Sequence, residues 1–193
     1  MLGVMLDCSR NAVMKVSELK KFILMLKKMG YNLLQLYTED TYEIEGEPLF
    51  GYMRGRYTQS ELKEIDAFCQ LHNVELMPCI QTLAHLNQLT AHFAYNDITD
   101  LNDILLVGEE KTYDLIDKML LTCSKCFTSR RINIGMDEAN MIGLGKYLTK
   151  NGYQGSYQVL LKHLERVCEI AKKHGFTPVM WSDMFFSNFT NSF

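Results

Sequence analysis

The chain has 193 residues, of which 47% are hydrophobic and 22% charged, values typical of one globular domain with a buried core. Its formal net charge of -3 gives no reason to predict a nucleic acid or an anionic membrane as a partner. No apolar run approaches the roughly 20 residues of a membrane-spanning helix, and the first residues lack the basic start and long apolar stretch of a signal peptide.

The six cysteines are not predicted to form disulfides or to bind a metal. Three of them, Cys8, Cys79 and Cys168, lie inside apolar patterns, where a free thiol packs as a small hydrophobic group. Cys123 and Cys126 form a C-x-x-C motif late in a helical pattern, and no second pair of cysteines completes a zinc site. We therefore predict a reduced, cytoplasmic protein that needs no metal and no cofactor.

The first two predicted strands enclose a helix. Residues 3–8 form an apolar run that ends in polar groups, and residues 31–37 form a second run. Between them, Ser17 is predicted to cap a helix that Gly30 ends. A polar, aromatic loop over residues 42–57 follows the second strand and is long enough to be functional. The apolar face of the helix consists of Leu19, Phe22, Ile23, Leu26 and Met29.

A capping box of Thr58 and Glu61 opens the next helix, and Asn73 closes it. Residues 74–80 form the third predicted strand, which ends in a polar stretch that contains His85. After a long connection over residues 86–108, another helix is predicted from about Glu110 to Cys126. The inward-facing residues are Leu62, Ile65, Phe68 and Cys69 in the first of these helices and Tyr113, Ile116, Met119, Leu120 and Cys123 in the second.

Two adjacent carboxylates follow the fourth predicted strand. Ile132 and Ile134 alternate along this short strand, which runs into Gly135 and then presents Asp137 and Glu138. Adjacent residues of a strand point to opposite faces, so the two acids are expected to have different environments and different roles. The same pair would also suit an ordinary helix N-terminus, and the stretch alone does not decide between the two interpretations.

A glycine-rich loop over residues 143–155 leads to the last predicted helix, residues 156–174, which Gly175 ends. Residues 177–181 form a fifth strand that includes Trp181, and Asp183 follows it. The tail, residues 185–193, is aromatic and amide-rich and shows no clear period.

The alternation of strands and helices predicts a parallel α/β sheet with right-handed crossovers. Each strand is expected to be apolar on both faces and to turn polar at its carboxyl end, where the chemistry of such barrels lies. The predicted architecture is a partial TIM (β/α)8 barrel with about five of the eight units. A doubly wound open sheet is the alternative, but no G-x-G-x-x-G follows the first strand, which argues against a bound dinucleotide. The polar strand ends are Asp7 and Arg10, Glu39 and Asp40, His85, Asp137 and Glu138, and Asp183.

The order and spacing of these residues resemble the family 20 glycoside hydrolases, the β-N-acetylhexosaminidases, over nearly the whole chain. The resemblance implies removal of terminal β-linked N-acetylhexosamine from an oligosaccharide or glycoconjugate by a substrate-assisted retaining mechanism. Glu138 would be the general acid, and Asp137 would orient the substrate's own 2-acetamido group as it attacks the anomeric carbon. The matching motifs are Asp7-x-x-Arg10, Glu39-Asp40, His85, Gly-x-Asp137-Glu138 and Trp181.

The resemblance also implies roles in binding the sugar. Arg10 would hold hydroxyl groups of the terminal sugar, with Asp7 orienting the guanidinium, and Glu39 is placed with these substrate-binding residues. Trp181 would form one wall of the acetamido pocket. Two structural alternatives stay open: Arg10 could form only an ion pair with Asp7, and Trp181 could be a core residue.

A third implied role is to tune the acid. His85, together with a carboxylate from Glu39 or Asp40, would form a relay to Glu138. The acid is expected to be buried so that it holds a proton near neutral pH. The alternatives are that His85 is a loop histidine satisfied by the backbone and that Asp40 is a turn residue. No role is assigned to Asp183.

The sequence departs from the family pattern in two motifs and in its extent. Asn11 and Ala12 follow Arg10 where the family usually has histidine and an aromatic residue, and Thr-Leu-Ala-His stands in place of the commoner Met-Pro-Gly-His. In the family, the strands that come after these five supply a tyrosine, further tryptophans and a carboxylate to the site, and the five predicted strands do not include them. We therefore expect residues 1–193 to form a single incomplete domain, holding strands one to five, with impaired activity.

Two other functions are compatible with the residues. One is an inactive or sugar-binding fragment, whose open first and fifth strands are expected to self-associate. The other is a metal-dependent hydrolase that uses His85, Asp137 and Glu138, although no H-E-x-x-H spacing is present.

Overall fold

The computed structural model describes residues 1–186, so the end of the predicted tail, residues 187–193, lies outside the described part. The described residues form seven strands and seven α-helices. The strands are β1 (Gly3–Asp7), β2 (Leu33–Tyr37), β3 (Glu75–Cys79), β4 (Thr99–Leu101), β5 (Ile104–Leu105), β6 (Arg131–Asn133) and β7 (Thr177–Val179). The helices are α1 (Val16–Lys28), α2 (Gln59–Leu71), α3 (Asn87–Thr90), α4 (Glu110–Cys126), α5 (Lys146–Asn151), α6 (Ser156–Lys173) and α7 (Asp183–Phe186).

Five of the strands form one parallel sheet in the order β1–β2–β3–β6–β7, which confirms the predicted α/β class and agrees with a partial barrel. The register aligns the carboxyl ends of the strands. Asp7 is opposite Tyr37, and Tyr37 is opposite Cys79. Cys79 is opposite Asn133, and Asn133 is opposite Val179. The loops that follow these residues therefore all leave the sheet at the same edge.

The long helices bury one face each, as their periodicity predicts. All of the predicted core residues of α4 are buried, whereas Phe22 of α1 and Phe68 of α2 are only partly buried. The predicted cap of α1 is wrong: the helix begins one residue before Ser17, and Lys15 occupies the cap position without a side-chain hydrogen bond. Met29 lies after the last helical residue and is 54% exposed, because it has left the buried face.

The capping box predicted at the start of α2 is confirmed. Thr58 Oγ1 accepts a hydrogen bond from the backbone N–H of Glu61 at 3.2 Å, and Glu61 Oε2 accepts one from the Thr58 N–H at 2.8 Å. This reciprocal pair fixes where the preceding loop, residues 42–57, enters the helix. The ends of that loop are tied together, since Tyr42 and Tyr57 are buried and form an isolated parallel bridge.

Two segments predicted as loops contain regular structure. Residues 86–108 hold α3, a 3-10 helix (Phe93–Ile98) and the antiparallel hairpin β4–β5, and residues 143–155 hold α5. The buried carboxylate of Asp100 joins the two segments. It accepts backbone hydrogen bonds from Gly143 at 3.0 Å and from Tyr147 at 2.7 Å. The hairpin therefore fixes the segment that follows the two adjacent acids.

The fourth and fifth predicted strands are shorter than expected. β6 ends at Asn133 and β7 at Val179, so Asp137, Glu138 and Trp181 lie on the loops that follow. β1 and β7 also carry exposed residues, against the prediction that every strand is buried on both faces. Each of them pairs with one strand only among residues 1–186, and its second edge is open as predicted.

All six cysteines are free. Burial raises the pKa of the Cys8, Cys69 and Cys79 thiols to about 12, so these groups stay neutral in neutral solution. No helix in the part of the chain that the structure describes is long and apolar enough to cross a membrane.

Candidate active site

The loops at the carboxyl edge of the sheet form two cavities. The arginine cavity has a volume of about 240 Å³ and is lined by residues that follow the first three strands of the sheet. The acid cavity is more open, has a volume of about 420 Å³ and is lined by residues that follow the last two. The arginine cavity is lined by Ser9, Arg10, Glu39, Arg54, His85, Asn87, Gln88 and Asp103. The acid cavity is lined by Asp137, Glu138, Trp181, Ser182 and Asp183.

His85 joins the two cavities. It lines the arginine cavity, and its Nε2 atom lies 3.3 Å from Asp137 Oδ2 and 3.6 Å from Glu138 Oε2. The side chain of Asp137 is 21% exposed and that of Glu138 is 70% exposed, so the two acids have the different environments that the sequence predicts. The predicted burial of Glu138 is wrong, because the residues that the structure describes leave its carboxylate open to solvent.

Backbone strain is concentrated around these side chains. Met136 and Glu138 have positive φ angles of 76° and 52°, and His85 and Glu39 have positive φ angles of 59° and 47°. Such a conformation costs a residue other than glycine on the order of 1–3 kcal/mol and is found most often at functional sites. Asp137 and Glu138 lie in irregular backbone, so the alternative that they cap a helix is wrong.

Arg10 is held by a carboxylate other than the predicted one. Its Nη1 atom donates to both carboxylate oxygens of Glu39, at 2.9 and 3.0 Å, and to Ser9 Oγ at 2.7 Å. Asp7 acts one step further away, because its Oδ1 atom accepts from the Ser9 hydroxyl and the Ser9 N–H. The alternative of a direct Arg10–Asp7 pair is therefore wrong. The Arg10 side chain is 68% exposed and keeps donors free to face the cavity.

The predicted relay from Glu39 or Asp40 to His85 is not formed. Glu39 is paired with Arg10, and the buried Asp40 lies 3.3 Å from Arg54 Nη2. Burial raises the pKa of Asp40, and the charge of Arg54 opposes that shift. Within residues 1–186, the carboxylates that face the His85 ring are the two adjacent acids themselves. The His85 backbone is held by the β4–β5 turn, where Asp103 Oδ2 accepts its N–H at 3.0 Å.

Two polar side chains of the site have no predicted role. Gln81 is fully buried, and its Nε2 atom donates to Asp137 Oδ1 at 2.7 Å and to Tyr37 Oη at 3.0 Å. Tyr37 Oη in turn donates to Glu39 Oε1 at 3.0 Å. A signal for both residues is present in the sequence, since Tyr37 ends the second apolar run and Gln81 begins the polar stretch after the third.

Trp181 is not a core residue, so that alternative is also wrong. It is 37% exposed, lines the acid cavity and donates its backbone N–H to the Gly135 carbonyl at 3.1 Å. Asp183, to which the sequence assigns no role, accepts the Glu138 backbone N–H on Oδ2 at 3.1 Å. The segment after β7, which includes the first residue of α7, therefore supports the loop that carries the acids.

The third predicted function requires three metal ligands. Among the residues that the structure describes, no three His, Cys, Asp or Glu side chains are arranged to hold a metal ion. His85, Asp137 and Glu138 instead form one imidazole flanked by two carboxylates, an arrangement suited to proton transfer.

Comparisons with solved structures show the same fold. A family 20 β-N-acetylhexosaminidase from Streptomyces coelicolor A3(2) superposes with a TM-score of 0.78 at 24% identity, over 94% of this chain and 39% of that one. A family 20 exo-β-N-acetylglucosaminidase from Vibrio harveyi, solved with N-acetylglucosamine, superposes with a TM-score of 0.81 at 18% identity, over 93% of this chain and 35% of that one.

Comparisons of sequence point to the same family. Hexosaminidase D of Homo sapiens is 25% identical over 184 residues, which are 91% of this chain and 38% of the relative. Hexosaminidase D of Bos taurus is 24% identical over 91% of this chain and 53% of the relative. The chain thus spans about two fifths to one half of the length of these relatives. Residues 2–192 match the description "Glycosyl hydrolase family 20, catalytic domain", and the chain belongs to glycoside hydrolase family 20.

Proposed function

We propose that the protein removes terminal β-linked N-acetylhexosamine from oligosaccharides or glycoconjugates by a substrate-assisted retaining mechanism. The observation that carries the proposal is the contact of His85 with both Asp137 and Glu138, beside a cavity that Trp181 also lines. The hexosaminidase activity named for the human and bovine relatives supports the same substrate class.

Glu138 is the proposed general acid. Its open carboxyl group faces the acid cavity, where it donates a proton to the glycosidic oxygen as the bond to the anomeric carbon breaks. It later removes a proton from the water that completes hydrolysis. A bound sugar would cover the carboxyl group and exclude water from it, which supplies the low-polarity surroundings that a proton-holding acid needs.

Asp137 is the proposed partner of the substrate's acetamido group. The acetamido carbonyl oxygen attacks the anomeric carbon and forms an oxazolinium-like ring, so the enzyme supplies no nucleophile. Asp137 accepts the acetamido N–H, and its negative charge stabilises the positive charge that develops on the ring. The indole of Trp181 offers a flat apolar surface for the acetamido methyl group.

The arginine cavity is proposed to bind the hydroxyl groups of the same sugar. Arg10 is oriented by Glu39 and, through Ser9, by Asp7, so its remaining N–H groups are held ready for hydroxyl oxygens. Asp40 acts through Arg54, which also lines this cavity, rather than through His85.

The test is the substitution Glu138→Gln, assayed on an aryl N-acetylglucosaminide. We expect kcat/KM to fall by about 100-fold or more, because the N–H groups of the amide are too weakly acidic to protonate the leaving oxygen. Glu64→Gln is the matched control, since Glu64 is exposed and pairs with Lys20 on the helical surface. Full activity in Glu138→Gln would contradict the proposal.

A second candidate function is sugar binding without turnover. It is favoured by the 70% exposure of the Glu138 side chain, because an open carboxyl group lacks the water-excluding surroundings that favour catalysis. Calorimetric binding of N-acetylglucosamine by a wild-type chain that hydrolyses no aryl N-acetylglucosaminide would favour this function over the first.

We also propose that the open edges of β1 and β7 pair between copies of the chain. Both strands present backbone groups without a second strand partner within residues 1–186, and both carry exposed apolar side chains such as Met5 and Val179. The partner that we propose for this surface is a second copy of the chain.

A further inference from the structure

The residues that follow β3 and β6 come close to each other. Cys79 is opposite Asn133 in the register, and Gln81 and Gly135 each lie two residues beyond this pair. A Cβ atom added to Gly135 would lie 2.0 Å from Gln81 Oε1 and 2.9 Å from the Ile80 carbonyl oxygen. Gly135 has a positive φ angle of 75°, which itself favours glycine, and its lack of a side chain leaves the space that the Gln81 amide occupies.

The Gln81 amide reaches Asp137 through this space. Its Nε2 atom is 2.7 Å from Asp137 Oδ1 and 3.0 Å from Tyr37 Oη. The orientation of the amide is determined by its partners, because Asp137 can only accept and the Tyr37 hydroxyl donates to Glu39 at 3.0 Å. Both amide protons are thus used, and the side chain is fully buried.

Asp137 has polar neighbours on both of its oxygens. Gln81 Nε2 donates to Oδ1, and His85 Nε2 lies 3.3 Å from Oδ2. Two neighbours on opposite oxygens fix the plane of a carboxylate, whereas a single one leaves it free to rotate. Each oxygen still has a lone pair for an acetamido N–H. Gln81 has no titratable group, so its donor is present at every pH.

We propose that Gln81 is a positioning residue for Asp137, and that Tyr37 and Gly135 fix the Gln81 amide in place. The proposal rests on the function proposed above for Asp137. It also connects the two cavities, because Arg10, Glu39, Tyr37, Gln81 and Asp137 form one continuous hydrogen-bonded chain. Through this chain, the groups that hold the sugar hydroxyls are linked to the group that orients the acetamido substituent.

The kinetic test compares three variants on an aryl N-acetylglucosaminide. Gln81→Met keeps the size of the side chain and removes both donors, and we expect kcat to fall about 10- to 100-fold while KM changes by less than about 3-fold. Tyr37→Phe removes only the support of the amide, and we expect a smaller fall in kcat of about 3- to 10-fold. Unchanged kcat in both variants would overturn the proposal.

Gln35→Met is the matched control. Gln35 lies two residues before Tyr37 on the same face of β2, its Oε1 atom is buried without a hydrogen-bond partner among residues 1–186, and it takes no part in the chain that reaches Asp137. We expect this variant to keep the wild-type kcat. A loss equal to that of Gln81→Met would attribute the effect to this face of β2 as a whole and overturn the proposal.

A second measurement separates this proposal from the proposed function. Crystal structures of the wild type and of Gln81→Met show the Asp137 side chain directly and do not depend on activity. We expect a single Asp137 rotamer in the wild type and a rotated or divided one in the variant. If the Asp137 carboxylate keeps its orientation in Gln81→Met, the positioning role is overturned. If the carboxylate rotates in Gln81→Met but the wild type hydrolyses no substrate, only the proposed function is overturned.

Discussion

Asp137 and Glu138 are neighbours in the chain, yet their contacts differ. The Asp137 carboxylate lies between Gln81 and His85, whereas Glu138 is held through its backbone by Asp183 and leaves its side chain open. In the proposed mechanism the two acids therefore have separate tasks, one fixed beside the acetamido group and one free to meet the leaving group. The division of roles depends on the residues around each acid rather than on the type of acid.

A buried titratable residue behind the site gives a prediction for stability. His163 in α6 is fully buried and donates from Nε2 to the Thr82 carbonyl at 2.8 Å, and burial lowers its pKa to about 4. The pKa in the unfolded chain is near 6.5, so the unfolded chain binds the proton first as the pH falls. The contribution of His163 to stability is therefore complete above about pH 6.5 and is lost as the pH falls toward 4.

The measurement is the free energy of unfolding in urea between pH 7 and pH 4.5, for the wild type and for His163→Gln. We expect the wild type to lose about 2–3 kcal/mol more than the variant over this window, because the variant has no proton to bind. Tyr113, whose Oη lies 3.4 Å from His163 Nδ1, has a raised pKa and does not titrate there. Equal pH dependence in the two proteins would contradict the prediction.

Among the elements of the fold, the β4–β5 hairpin has the widest effect on the site. Its Asp103 holds the backbone of His85, and its Asp100 holds Gly143 and Tyr147 in the segment after the acids. One short hairpin therefore sets the positions of two loops that come from different strands of the sheet. A substitution in it is expected to act on both loops together.

The substitution Asp100→Ala tests this role. It leaves two backbone N–H groups without their acceptor in a buried place, so we expect the free energy of unfolding to fall by about 1–3 kcal/mol. Asp97→Ala is the control, because Asp97 is 68% exposed and pairs with Lys111 at the surface, and we expect a much smaller change. Urea denaturation measures both, and a similar change in the two variants would show that the hairpin is not an anchor.

The elements differ in how far the sequence predicts them. The bounds of α4 follow from its period alone, and the capping box at Thr58 marks the start of α2, because these signals are local. The sequence does not predict the hairpin, because its Asp100 accepts hydrogen bonds from backbone N–H groups more than 40 residues away in the chain. The Gln81–Asp137 contact, which spans 56 residues, is hidden for the same reason, and so is the pairing of Arg10 with Glu39.

At the scale of the whole molecule, the strand order is itself predictable. Five apolar runs that alternate with helices leave few arrangements other than a parallel sheet in chain order, and the polar residues after each run then meet at one edge. The sequence does not show that β6 and β7 end early and leave the acids on strained loops. The acids lie beside Met136 and within a segment where Met136 and Glu138 have positive φ angles, which no propensity of these residues favours.

The open edges of β1 and β7 predict association in solution. We expect light scattering to give a mass above that of the monomer, rising with protein concentration. Met5→Lys, alone or with Val179→Lys, places charge on the exposed positions of these strands and is expected to lower the mass. Met53→Lys is the control, because Met53 is 85% exposed on the loop of residues 42–57. A wild type that stays monomeric at every concentration would contradict the prediction.

The chain contains a single tryptophan, and the fold places it beside the two acids. Indole fluorescence from residues 1–193 therefore originates at Trp181, next to the carboxylates and partly in contact with water. A sugar that settles against the ring would displace that water and move the emission to shorter wavelength. The molecule thus carries its own optical probe of occupancy, with no dye to attach.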